Sequence, residues 1–127
     1  MIKVSLNDIV SSVDTFQTIM GQSFKGSLAF KIARLARELN KEMETFNEQR
    51  RKILNEYCVK DENGELKPDE NGNVQIIPDK INEFNNEFSN LLATEVEINA
   101  DKLPMDSMDS FDITPQQMLN IEMFFEE

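Results

Sequence analysis

Apolar residues alternate with polar ones at Ile2, Val4 and Leu6, a two-residue period that predicts a short N-terminal strand. The period then lengthens to three and four at Leu6, Ile9, Val10, Val13, Phe16, Ile19 and Met20. With Ser5 and Asp8 in capping-box positions and Gly21 as a stop, this predicts a first helix over residues 6–20. A second helix is expected over 27–58, with Ser27 as its N-cap. Leu28, Ile32, Leu35, Leu39, Met43, Phe46, Ile53 and Tyr57 form its stripe, broken at Arg50. Such a helix is about 45 Å long. It exceeds the roughly 36 Å diameter of a compact domain of this size, so it should act as a spine and the molecule should be elongated. Ala29, Ala33 and Ala36 widen the apolar face of its first half, where most neighbours are expected.

Residues 59–78 lose the helical period. Asp61-Glu62-Asn63-Gly64-Glu65-Leu66 is echoed by Asp69-Glu70-Asn71-Gly72-Asn73-Val74, and Pro68 and Pro78 punctuate the stretch. The Asn-Gly pairs predict a β-hairpin over 64–77 with its loop at Asn71-Gly72. A third helix is expected over 79–92, capped by Asp79 and carrying Ile81, Phe84, Phe88, Leu91 and Leu92. It should run back antiparallel along residues 43–57, with the first helix covering the other half of the spine. Glu95-Val96-Glu97-Ile98 alternates again, predicting a strand over 94–99 able to pair with residues 2–6. Thr114, Pro115 and Gln117 open a C-terminal helix over 114–125, apolar around most of its girth. It is expected either in the core or on a partner. The fold class is mainly α (α+β), one domain of 127 residues.

Charge divides the chain. Residues 61–127 hold 17 acidic residues against Lys67, Lys80 and Lys102, a net of −14, while residues 1–60 sum to +3. The overall charge of −11 argues against binding nucleic acid by neutralising phosphate, and against an anionic membrane surface. Lys31, Arg34, Arg37 and Lys41, with Arg50-Arg51-Lys52, read more simply as a solvated helix face with pairs such as Glu48–Lys52. No apolar run approaches the roughly 20 residues of a membrane span, and the first residues lack the apolar stretch of a signal peptide.

Candidate chemistry is sparse. The chain has no His, so the commonest general base and metal ligand are both missing. Both Asp-Glu-Asn-Gly segments put Gly fourth, where a calcium loop needs it sixth. Cys58 is the lone cysteine, so no intramolecular disulfide is available and the residue reads as an inert helix-end thiol. No phosphate loop or dinucleotide fingerprint occurs. The expectation is a protein without catalytic residues, metal or cofactor.

What remains is a segment where acid alternates with apolar residues. Glu95, Glu97, Asp101, Asp106, Asp109 and Asp112, with Phe111, Phe124 and Phe125, are the candidate partner-binding residues. Met105, Met108, Met118 and Met123, together with Phe111, Phe124 and Phe125, suit an adaptable interface and a small core equally well. Self-association through the Arg50-interrupted half of the spine is a further option.

Residues 29–55, the Asp61–Leu66 and Asp69–Val74 echo, Leu91–Glu97, Leu103-Pro104 and Ile113-Thr114-Pro115 resemble small uncharacterised acidic proteins encoded by phages and prophages of Gram-positive bacteria. The resemblance spans most of the chain and contains no catalytic motif. It implies a phage protein acting by protein–protein contact, in virion or tail assembly or as an accessory factor. The alternative is an acidic, nucleic-acid-mimicking inhibitor of a basic host nucleic-acid-binding or anti-phage defence protein. Its expected location is the cytoplasm of the infected host or the virion.

Overall fold

Ser5 ends one element and begins the next. In the computed structural model, which describes residues 1–126, strand β1 spans Ile2–Ser5 and helix α1 spans Leu6–Met20. Ser5 Oγ accepts from the Asp8 N–H, and Asp8 Oδ2 accepts from the Ser5 N–H, each at 3.1 Å. This reciprocal capping box, expected from the sequence, satisfies donors that a helix start otherwise leaves orphaned. Strand β2, Glu95–Ile98, pairs antiparallel with β1 in the register Ile2↔Ile98 to Ser5↔Glu95. The Leu6 N–H extends the ladder to the Thr94 carbonyl at 2.9 Å.

Helix α2, Gly26–Tyr57, is the long helix the stripe predicts, unbroken for 32 residues. It starts one residue earlier than expected. The Lys25 carbonyl already accepts the Ala29 N–H at 2.9 Å, so Ser27 lies inside the first turn and does not cap it. Its far end comes at Tyr57, because Cys58 leaves the helix to bridge with Ile76.

The chain divides into two compact units: Met1–Met43 together with the chain from Thr94 onward, and Glu44–Ala93. The core of the first is built from Ile9, Phe16 and Ile19 of α1, Ile32, Leu35 and Leu39 of α2, and Ile98, Leu103, Ile121, Phe124 and Phe125. Helix α4, Pro115–Ile121, packs against α1. Its start carries the predicted Thr114–Gln117 capping box. The expected helix to residue 125 is shorter, because Glu122–Phe124 tightens into a 3-10 turn. Phe124 then meets Phe16 edge-on at 5.5 Å, and Leu103 pairs with the backbone on both sides of Phe125. Its N–H donates to the Phe124 carbonyl at 2.7 Å, and its carbonyl accepts from the Glu126 N–H at 2.8 Å.

In the second unit, helix α3, Ile81–Leu92, returns antiparallel along the end of α2 as the sequence predicts. Phe88 meets Phe46 at 6.2 Å and Phe84 meets Tyr57 at 6.5 Å. Asp79 does not cap it. A 3-10 turn, Pro78–Lys80, precedes α3, so Asp79 sits in that turn and Lys80 takes the cap position without a side-chain bond.

The predicted hairpin over 64–77 is also different. Single bridges replace regular strands, and there are two turns built on one plan. Asp61 Oδ1 accepts from the Asn63 and Glu65 N–H groups, and Asp69 Oδ1 accepts from those of Asn71 and Asn73. Gly64 and Gly72 follow at φ of 80° and 82°, a left-handed step that favours glycine. Each is a three-residue loop with a glycine bulge, which accounts for the eight-residue echo.

The deepest aromatic supplies a direct check on this packing. Phe124→Ala should cost about 3–5 kcal/mol of unfolding free energy, against at most about 0.5 kcal/mol for Phe30→Ala at an exposed position of α2. Equal losses in urea titrations of the two variants would contradict the packing described.

Candidate functional site

Between β2 and α4 the chain repeats Met105-Asp106-Ser107 as Met108-Asp109-Ser110. These six residues form a 3-10 helix, Met105–Ser110. Three residues per turn place positions i and i+3 above one another. The repeat therefore resolves into a methionine ridge, an aspartate ridge and a serine ridge. Ser107 is buried, with its hydroxyl donating to the Pro104 carbonyl, whereas Ser110 is exposed. Asp106 and Asp109 are exposed.

Met105 and Met108 line an open groove of about 650 Å3 in the first unit. Met1, Ile2, Met123 and Phe125 also line it, and Lys3, Lys102 and Glu122 supply its charged groups. Four methionines thus share one surface. Their unbranched, polarizable thioethers adapt to the shape of what they contact. Lys3 Nζ is already engaged at 3.1 Å by Glu95 in an exposed pair, worth at most about 1 kcal/mol.

The structure disperses the candidate partner-binding residues. Phe111, Phe124 and Phe125 are buried, and of the three only Phe125 lines the groove. Phe111 packs edge-on between Phe24 at 5.2 Å and Phe125 at 5.4 Å, while Phe125 closes the floor of the groove. Glu95, Glu97, Asp101, Asp106, Asp109 and Asp112 are all exposed, but they do not form one row. Glu97 lies opposite Lys3 in the β register, beside the Lys3–Glu95 pair. Asp101 shares a shallow depression of about 120 Å3 with Phe30, Lys31 and Arg34. Asp112 is held by its backbone. Gln22 Nε2 donates to its carbonyl at 2.8 Å, and its N–H donates to Gln22 Oε1 at 3.1 Å. Asp106 and Asp109 share the 3-10 turn with Met105 and Met108, and neither lines the groove.

The sequence reading had Met105, Met108 and Met123 in view but did not separate them from the phenylalanines. The available signal was the three-residue Met-Asp-Ser repeat, whose period matches a 3-10 helix. Glu122 and Lys102, both in the groove wall, were missed because they stand alone in the sequence.

Other clusters read as structural. Lys31, Arg34 and Arg37 are exposed on α2, and Lys41 pairs with Glu38 at 3.0 Å. A cleft of about 290 Å3 lies between α1 and α2, lined chiefly by Val13, Phe16, Met20, Ala36 and Leu39. Among the described residues, no group of three or more Cys, Asp or Glu side chains is placed to hold a metal ion. No helix among them is long and apolar enough to cross a membrane.

Two titratable groups of the second unit are perturbed. The Tyr57 hydroxyl donates to Glu87 Oε1 at 2.9 Å. That bond chiefly, then burial and the charges of Glu56, Glu87 and Glu83, push its pKa from 10.0 up to about 12. Burial pushes the Cys58 thiol up, which keeps it in its unreactive protonated form.

Both shifts have measurable consequences. A raised folded-state pKa favours the phenol in the folded protein, so its stabilising effect is complete below pH 10 and is lost as pH rises to about 12. Tyr57→Phe should therefore be less stable than the native chain at neutral pH, and the gap in melting temperature should narrow over that alkaline range. A gap that does not change with pH would refute the Tyr57–Glu87 bond. Cys58, the only thiol, should react slowly with a thiol reagent in the native protein and rapidly in denaturant. Equal rates would show that it is not buried.

Comparison of the chain with protein-family models, with curated proteins and with solved structures finds no match.

Proposed function

We propose that this is a non-enzymatic protein–protein interaction protein that meets its partner through the methionine groove and the aspartate ridge beside it. The observation that carries the reading is the coincidence of two features on one short element. The same 3-10 turn presents Met105 and Met108 to an open groove of mixed polar and apolar lining and leaves Asp106 and Asp109 exposed. Adaptable apolar contact supplies affinity, and the surrounding carboxylates steer a partner of opposite charge. No constellation of nucleophile, base and orienting group accompanies the groove. By the sequence resemblance alone, the protein is phage-encoded and works in the infected host's cytoplasm or in the virion, in virion or tail assembly or as an accessory factor.

A second reading is an acidic, nucleic-acid-mimicking inhibitor of a host nucleic-acid-binding or defence protein. The exposed carboxylates between residues 95 and 112 favour it. Lys3 beside Glu95 and Glu97, and Lys31 with Arg34 beside Asp101, interrupt the continuous negative row that a phosphate backbone presents.

Affinity capture from infected cells, with the full chain and with its Asp106→Lys/Asp109→Lys variant, separates the readings. The groove reading expects a partner retained in part at high salt and lost in the variant. A mimic expects a basic partner released steeply by salt, as screening removes charge–charge attraction. Equal capture by the variant and the native chain would rule out the groove reading.

A further inference from the structure

We propose that the outward face of α2 in the first unit docks a second copy of this chain, which presents its 3-10 turn Met105–Ser110. This names the partner and rests on the interaction reading above. Phe30, Arg34, Arg37 and Lys41 stand at i, i+4, i+7 and i+11, so they share one stripe about 16 Å long. All four are exposed, Phe30 at 65%. Lys31 flanks the stripe, and no exposed acidic residue of α2 interrupts it between residues 26 and 43. Lys41 is drawn to Glu38 at 3.0 Å, whereas Lys31, Arg34 and Arg37 form no ion pair among the described residues. Hydration accounts for the cations but gives no reason for a phenylalanine among them. Phe and Arg are both types that protein interfaces gather.

Charge complementarity selects the occupant. Residues 1–43 hold six basic and four acidic side chains, whereas the same unit from residue 94 onward holds one lysine and nine acidic residues. That acidic part offers a counterpart to the α2 stripe. Asp106 and Asp109 stand exposed on the 3-10 turn, about 6 Å apart along its axis, and Met105 beside them is 45% exposed. Neither aspartate has an ion-pair partner among the described residues. Arg34 and Arg37 are about 4.5 Å apart along the axis of α2. Long side chains absorb that difference, so each carboxylate can meet one guanidinium while the Met105 thioether lies against the Phe30 ring. A nucleic acid would also supply anions, but its affinity accumulates over many phosphate contacts, and this face offers three unpaired cations. The contact joins two different faces of the chain, so it is heterologous and copies can add head to tail.

Sedimentation velocity on the full chain tests this contact. At about 0.15 M salt the native protein should form assemblies that grow with concentration, and about 1 M salt, where the screening length falls to about 3 Å, should reduce them. Arg34→Glu/Arg37→Glu and Asp106→Lys/Asp109→Lys change exposed positions, so both variants should stay folded. Each should weaken self-association at least about tenfold. Mixed together, the two variants keep one intact face each and should form a one-to-one dimer and nothing larger. A native chain that is monomeric up to about 1 mM, association that either variant leaves unchanged, or variants that fail to combine would each overturn the proposal. If a short single-stranded oligonucleotide binds the monomer and is lost in Arg34→Glu/Arg37→Glu, the face belongs to nucleic acid and the proposal falls. If the chain stays monomeric while a partner sensitive to Asp106→Lys/Asp109→Lys is still captured from infected cells, the self-contact falls and the interaction reading stands. Capture that ignores that variant removes the interaction reading itself.

Discussion

The antiparallel pairing of Ile2–Ser5 with Glu95–Ile98 is the constraint on which the first unit depends. It joins residues 90 to 96 positions apart in the chain. Two four-residue strands are marginal alone, so their stability comes from what they close over. Ile2 and Ile98 face each other across the ladder and are both buried. The pairing delivers the chain at Asn99 to a place from which Leu103 can reach the backbone of the C-terminal turn. It also places Met1, Ile2 and Lys3 along one wall of the groove. Register matters here, because a slip of one residue would turn Ile2 and Val4 outward and Lys3 inward.

Downstream of that pairing, aromatic and sulfur-containing side chains take different places. Phe111, Phe124 and Phe125 join Phe16 and Phe24 in edge-on contacts, which give rigid rings a defined geometry. Met105, Met108 and Met123 remain at the surface of the groove, where flexible thioethers cost little to leave partly solvated. The 3-10 period performs this sorting for residues 105–110. An α-helix would have rotated Met108 away from Met105 and brought an aspartate toward the wall. The acidity of the C-terminal part follows from the same geometry. Its carboxylates occupy outward positions on a strand, a depression and a 3-10 turn, and Asp112 is held through its backbone by Gln22.

Much of this was legible from residues, because local chemistry decided it. Ser5 with Asp8, and Thr114 with Gln117, mark helix starts through bonds that reach only three residues. The α2 stripe and the alternation at 95–98 are periodic signals that burial later enforces. The misses have a common origin in contacts distant along the sequence. Asp79 is a good cap by type, yet Pro78 forms a preceding turn that shifts the helix start past it. The Asp61 and Asp69 turns were read as one hairpin, because the sequence does not show that residues 57–60 would bridge to both 66 and 76. For Phe111, Phe124 and Phe125 core and partner surface stayed open, because composition does not say that Leu103 pairs with the C-terminal turn. The groove itself was invisible, since it assembles β1, the loop at Lys102, the 3-10 repeat and the end of α4.

The acidic C-terminal part is an integral layer of the first unit and not an appended tail. Native-state hydrogen exchange tests it most directly, because each amide reports the free energy of the opening that releases it. The Leu6, Leu103 and Glu126 amides should share the protection of the buried Ile19 turn of α1. Rapid exchange at Leu103 and Glu126 alongside a protected α1 would contradict it.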